Sequence, residues 1–168
     1  MLDKKWKSLK SGTDIRGVAT EGVEGQEVNL TDEAVERIVR GFVLWLMEKT
    51  GKSNQELTVS VGRDSRISGP RIRMVVLRGL TEAGCQVIDC GLASTPSMFM
   101  TTIDLNCDGA VQITASHHPY FRNGLKFFTR DGGLEVRDME QLLAYAQNGQ
   151  AQEADRVGHT TRWGDTES

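Results

Sequence analysis

Leu57-Thr58-Val59-Ser60-Val61-Gly62-Arg63-Asp64-Ser65-Arg66 is the stretch that decides the fold of this chain. Leu57, Val59 and Val61 alternate with Thr58 and Ser60, the period of a half-buried strand, and Gly62 to Arg66 is the loop delivered by its carboxyl end. Downstream, Ile72, Val75, Val76, Leu80 and Ala83 recur at helical spacing until Gly84, and Cys85 to Cys90 reads as a second strand. Gly91 to Ser97 reads as a loop with Pro96 near a helix start, followed by a short helix from Met98 to Leu105. Ala110, Val111 and Ile113 then mark a third strand. This βαβαβ pattern predicts an α/β fold with parallel pairs, helices on both faces and ligands outside the carboxyl ends of the strands.

Upstream, Thr31 followed by Asp32 and Glu33 is a helix start, and Val35, Ile38, Val39, Phe42 and Leu46 form an apolar stripe that Gly51 ends. After the third strand, Leu125 to Thr129 is a returning strand, Arg130 to Gly133 a turn, and Leu134 to Ala146 a closing helix with Met139, Leu142 and Leu143 inward. From Gln147 onward the chain is polar and without a sustained apolar period. The expected organisation is one domain over residues 1–146 and a polar tail or linker over 147–168.

With 168 residues and 38% apolar content the chain can bury one core, and its net charge of −3 offers no broad basic field for nucleic acid or an anionic membrane. Cys85, Cys90 and Cys107 have neither CxxC nor zinc-ligand spacing and read as small buried hydrophobes, reduced in a cytoplasmic protein. The start lacks an apolar signal region, and Phe42 to Met47 is far too short to span a bilayer. Trp45 is expected in the core or on a helix surface, while Trp6 and Trp163 have no assigned role.

Thr114-Ala115-Ser116-His117-His118-Pro119, followed by Asn123-Gly124-Leu125-Lys126, puts a hydroxyl, two imidazoles and an ammonium on one connection between strands. On local chemistry alone a Ser-His pair is more often a turn with ordinary hydrogen bonds. The lack of a Gly-x-Ser-x-Gly elbow, and the adjacency of Ser116 and His117, which cannot adopt triad geometry, argue against a serine hydrolase.

This loop resembles the active-site serine loop of the α-D-phosphohexomutases, the phosphoglucomutase and phosphomannomutase superfamily. Three further segments agree with it in the family's order: Gly12-Thr13-Asp14-Ile15-Arg16-Gly17, Val61-Gly62-Arg63-Asp64-Ser65-Arg66, and Asn123-Gly124-Leu125-Lys126. The match covers the family's first domain, which implies a three-layer α/β/α domain with a mixed, largely parallel sheet.

The resemblance implies that Ser116, as phosphoserine, donates its phosphoryl group to a hexose monophosphate, passes through a hexose 1,6-bisphosphate and recovers the other phosphate. The net result moves phosphate between the 1- and 6-positions. It further implies Lys126 and His117 as acid/base groups, with Arg16 holding Lys126 or phosphate oxygens; a cation beside the lysine would favour the neutral form a base needs. Arg63, His118 and Asn123 would form the phosphate environment, His118 standing where the family most often has asparagine.

Magnesium is the implied cofactor. One ligand would be the phosphate on Ser116, and the others would come from an Asp-Gly-Asp-Gly-Asp loop that this sequence lacks. The expected partners are a phosphorylated hexose and the remaining mutase domains, and the chain alone is expected to be inactive. The Asn-Gly-Leu-Lys form points to the bacterial phosphomannomutase/phosphoglucomutase branch, with phosphoglucosamine mutase close behind. The competing reading is a non-catalytic phosphosugar-binding or assembly module.

Overall fold

A computed structural model describes residues 2–22, 24–25, 27–65, 69–114, 121–148 and 158–162. In chain order its elements are α1 (Lys4–Leu9), β1 (Lys10–Ser11), β2 (Asp14–Val18), α2 (Asp32–Thr50), a 3-10 turn (Asn54–Glu56), β3 (Thr58–Arg63) and α3 (Gly69–Glu82). Then follow β4 (Gln86–Leu92), α4 (Thr95–Asp104), β5 (Gly109–Ile113), β6 (Arg122–Thr129), β7 (Gly132–Gly133), α5 (Val136–Asn148) and β8 (Thr160–Arg162).

The long helix α2 begins and ends where its capping residues require. Thr31 accepts the Ala34 N–H at 3.1 Å, and Gly51 adopts the left-handed conformation with φ 74°, which a residue bearing Cβ disfavours. α4 starts at Thr95, three residues before the expected Met98, because Ser94 caps the Ser97 N–H at 3.2 Å and Pro96 fits the first turn. β6 likewise starts at Arg122 rather than Leu125, since Arg122, Asn123 and Gly124 pair with β2 through backbone that apolar alternation does not reveal.

Among the described residues the strands form one mixed sheet in the order β1-β2-β6-β5-β3-β4-β8, with β7 on β6. Parallel pairing is confined to β5-β3-β4-β8, and the half containing β6, β2 and β1 is antiparallel. One face is covered by α2, α3 and α5, whose Phe42, Leu46, Ile72, Val76, Leu142 and Leu143 pack with Val59, Val61, Val111 and Phe127 of the sheet. Each such large side chain contributes about 1.5–3 kcal/mol on burial. Phe42 anchors this layer, its ring 4.5 Å from that of Phe127 and 6.1 Å from that of Trp45. The opposite face carries α4, which buries Met98 against Ala110 and Phe128. Trp6 is buried in the larger core through the unexpected α1. No described helix is long and apolar enough to cross a membrane.

All three cysteines are free thiols, Cys85 and Cys107 buried and Cys90 half-buried. Burial pushes Cys85 up to about 12 and Cys90 and Cys107 up to about 11.

Thr160–Arg162, within the stretch read as a polar tail, lies as strand β8 beside β4 with its side chains exposed. Its dock is electrostatic as well as backbone-paired. Asp89 of β4 is buried, takes an Arg73 Nε hydrogen bond at 3.1 Å and the Gly91 N–H at 3.0 Å, pairs also with Arg73 Nη2, and stands in register with Arg162. Burial pushes the Asp89 carboxyl up, but the Arg73 and Gly91 hydrogen bonds, with the charges of Arg73 and Arg162, outweigh it and hold it below the ordinary carboxylate range.

The stabilisation from Asp89 is therefore present above the unfolded-chain value of about 4 and is lost as pH falls through the lower folded value. Asp89→Asn is expected to destabilise the protein at pH 7 by about 1–3 kcal/mol. Denaturant titrations should show the gap between parent and variant closing on acidification below about pH 4. A gap independent of pH would refute the charge assignment.

Candidate active site

Because β6 sits between β2 and β5, and β5 lies beside β3, the described parts of the four sequence segments lie in adjacent strands toward the carboxyl ends of β3 and β5. In β2, Asp14 and Arg16 are two residues apart and so share a face. Arg16 stands opposite Gly124 of β6, and Lys126, two residues further along the same face of β6, pairs with Gln112 of β5.

Asp14 joins the two cations. Lys126 Nζ donates to its Oδ1 at 3.1 Å and Oδ2 at 3.4 Å, and Arg16 Nη2 donates to Oδ2 at 3.2 Å. The Arg16, Asp14 and Lys126 side chains are only 5%, 18% and 29% exposed, so the cluster is sheltered from solvent and its ion pairs are less screened than surface ones. Lys126 Nζ also stands 5.9 Å from the Phe128 ring centroid. Arg16 Nη1 donates back to the Ile15 carbonyl at 2.9 Å, which keeps the guanidinium folded across Gly124. Arg16 and Lys126 are thus brought together through the shared Asp14 carboxylate.

The second group of contacts anchors both ends of the serine segment. Thr114 Oγ1 donates to Asp64 Oδ2 at 2.8 Å, the Thr114 N–H donates to the Gly124 carbonyl at 3.0 Å, and the Asp64 N–H donates to the Ile113 carbonyl at 3.0 Å. The Phe121 carbonyl accepts the N–H groups of Ala19 at 2.8 Å and Thr20 at 3.1 Å. Ser116, His117 and His118 lie outside the described residues, as does Arg66.

Arg63 ends β3 and turns its Nη1 onto the Asp64 carbonyl at 3.1 Å, while its Nε is buried without a hydrogen-bond partner among the described residues. Asn123, expected in the phosphate environment, is fully buried, alternates to the face opposite Lys126, and accepts the Gly124 N–H at 2.9 Å through Oδ1. It supports the backbone at the start of β6. Asp14, Asp64, Thr114 and Gln112 are the site neighbours that reading the sequence missed. Asp14 and Asp64 sit inside quoted motifs, and an acidic residue two positions from, or beside, an arginine was the available signal.

Residues 8–153 match the family model described as phosphoglucomutase/phosphomannomutase, alpha/beta/alpha domain I. The chain belongs to this phosphohexomutase family. It is 37% identical over 125 residues to the phosphoglucosamine mutase of Nautilia profundicola, covering 74% of this chain and 27% of that protein. It is 38% identical over 138 residues to the phosphoglucosamine mutase of Leuconostoc mesenteroides, covering 79% of this chain and 29% of that protein. The chain therefore spans little more than a quarter of the length of these phosphohexomutase relatives. The fold is similar to that of a phosphoglucomutase/phosphomannomutase family protein from Burkholderia thailandensis, with a TM-score of 0.75, 22% identity, and coverage of 96% of this chain and 33% of that one.

Among the described residues no group of three or more His, Cys, Asp and Glu side chains could hold a metal ion. The one magnesium ligand that the resemblance places in this chain, the phosphate on Ser116, lies outside the described residues.

Proposed function

We infer that this chain is the serine-loop domain of a phosphohexomutase, and that it works with further domains of the same polypeptide. The observation that carries the reading is the convergence of Arg16 and Lys126 on Asp14, beside the two anchored ends of the Ser116 segment. A phosphoserine there carries about −1.5 to −2 charges, and a sheltered arginine and lysine are suited to meet it.

In the forward half-reaction the sugar hydroxyl oxygen bonds to phosphorus as the bond from phosphorus to Ser116 Oγ breaks. The hydroxyl proton passes to whichever of Lys126 and His117 is neutral, and the protonated member of the pair delivers a proton to the departing Ser116 oxygen. The return half-reaction reverses these roles on the other phosphate of the bisphosphate. Arg16 orients phosphate oxygens, and Asp64 with Thr114 fixes the start of the loop. Arg63 and His118 belong to the phosphate surroundings in this reading.

The relatives named phosphoglucosamine mutase make glucosamine phosphate the first substrate to assay, ahead of glucose and mannose phosphates. The remaining domains would supply the carboxylates for magnesium. Exposed Leu92, Met100 and Ile103, beside or on α4, support a covering neighbour there. A cytoplasmic location agrees with the three reduced thiols.

The test is intact-mass spectrometry with phosphosite mapping on the native full-length gene product, followed by isomerisation assays with catalytic hexose 1,6-bisphosphate. One phosphate on Ser116 together with 1-to-6 isomerisation is the expected outcome. A protein that binds hexose phosphate but carries no phosphate and turns nothing over is instead a binding module.

A further inference from the structure

We propose that Asp14 is a positioning residue of the mutase site: its one carboxylate clamps the Lys126 ammonium beside the Arg16 guanidinium and removes one unit from their combined charge. The proposal rests on the mutase reading for its effect on turnover, and on geometry alone for the clamp.

Three features set the Asp14 cluster apart from an ordinary surface ion pair. The carboxylate is shared, with both oxygens on Lys126 and Oδ2 also on Arg16. Its partners come from two adjacent strands that are hydrogen-bonded in fixed register, so neither cation can drift without loss of the contact. And the three side chains are mostly sheltered, Arg16 almost completely. An exposed pair of long side chains loses most of its value to rotamer entropy and screening, whereas here the strand ladder has already ordered the backbone.

A lysine that transfers a proton to or from a sugar hydroxyl must present Nζ at a fixed point, and displacement of about 1 Å can cost on the order of 100-fold in rate. Lys126 has a long, flexible stem, and Asp14 supplies both of its described polar contacts. Across the ladder, Gln112 is neutral and turns its Nε2 to the Ala93 carbonyl at 2.7 Å, so β5 offers no competing anion at the paired position. With Asp14 fully engaged by cations, its role is to hold them, and no transfer to substrate is assigned to it.

The experiment compares parent, Asp14→Asn and Asp14→Glu full-length proteins by steady-state kinetics and by amine-reagent labelling of individual lysines read by peptide mass spectrometry. Asp14→Asn is expected to lower kcat about 30- to 100-fold with KM within about threefold, the split of a residue that acts on the transition state. Lys126 labelling should rise about fivefold or more relative to exposed Lys4 as Nζ is released from the Asp14 carboxylate, and Asp14→Glu, which keeps the charge, should recover about tenfold of the lost rate.

A kcat for Asp14→Asn within about threefold of the parent in an active enzyme, or unchanged Lys126 labelling, overturns the proposal. Equal kcat loss in both variants also overturns it, since a shape defect and not the charge would then be responsible. If the parent turns over no hexose phosphate, the mutase reading fails separately, and the Lys126 labelling ratio still decides whether Asp14 clamps the lysine.

Discussion

Ser116→Ala in the full-length protein is expected to lose turnover by about 10⁴-fold or more, equivalent to about 5.5 kcal/mol of barrier, while hexose phosphate still binds. The size follows from the role. A serine that only hydrogen-bonded substrate would cost one or two orders of magnitude, whereas a serine that carries the transferred phosphoryl group leaves no route when its oxygen is removed. The nearby hydroxyl of Thr114 cannot stand in, because it is already committed as a donor to Asp64. The cations would remain: Arg16 and Lys126 are held by Asp14 and by the β2–β6 ladder, none of which involves Ser116, so phosphate recognition should survive. Kinetics with hexose phosphate plus bisphosphate, beside direct binding by calorimetry, separate the two effects. Turnover within tenfold of the parent would remove Ser116 from the mechanism and, with it, the mutase assignment of this loop.

How far such a site can be read from sequence depends on where each residue's partner lies. The helix over Asp32–Thr50 was legible because its cap, its stripe of Val35, Ile38, Val39, Phe42 and Leu46, and its terminal glycine are local signals that agree. β3 was legible because its alternation faces a buried layer. β8 was not: all three of its side chains are exposed, so no alternation marks it, and it is held by backbone hydrogen bonds such as Val87 N–H to the His159 carbonyl at 2.8 Å. α1 is six residues long, too short for a period, although Trp6 and Leu9 are buried.

The candidate site divides in the same way. Motif order pointed to Arg16, Arg63 and Lys126; Arg16 and Lys126 meet on Asp14, while Arg63 ends β3, two strands from Lys126. The partner of Lys126 is 112 residues away in sequence, and only the antiparallel placement of β2 on β6 brings Asp14 to it. Asn123, expected in the phosphate environment, adjoins Gly124 and Lys126 in a motif, and strand alternation places it on the face opposite Lys126. A sequence motif groups residues by neighbourhood along the chain, and a strand separates neighbours by face.

Gly124→Ala is expected to be the most damaging small substitution in the described site, costing about 2–4 kcal/mol of stability, or roughly 5–15 °C in Tm for a domain of this size. An added Cβ would lie 2.0 Å from the Ile15 carbonyl oxygen, 2.6 Å from Arg16 Nη1 and 2.9 Å from Arg16 Cδ. The arginine side chain can swing away, but the carbonyl cannot. It belongs to a strand pinned by the pairings Ile15 with Leu125 and Gly17 with Asn123, and the Gly124 carbonyl itself accepts the Thr114 N–H. Relief therefore requires β2 and β6 to separate locally, which displaces Arg16, Asp14 and the Thr114 anchor together.

Gly133→Ala provides the matched control, since its added Cβ meets nothing within 4 Å, and it should change stability by less than about 0.5 kcal/mol. Thermal and urea melts of the two variants test the steric argument. Activity at a temperature where both are folded tests its consequence: Gly124→Ala should remain at least about tenfold slower than Gly133→Ala, because the ladder that the methyl group disrupts is also what aligns the lysine and the arginine with the serine loop. Equal activity of the two folded variants would mean that catalysis does not depend on the β2–β6 register.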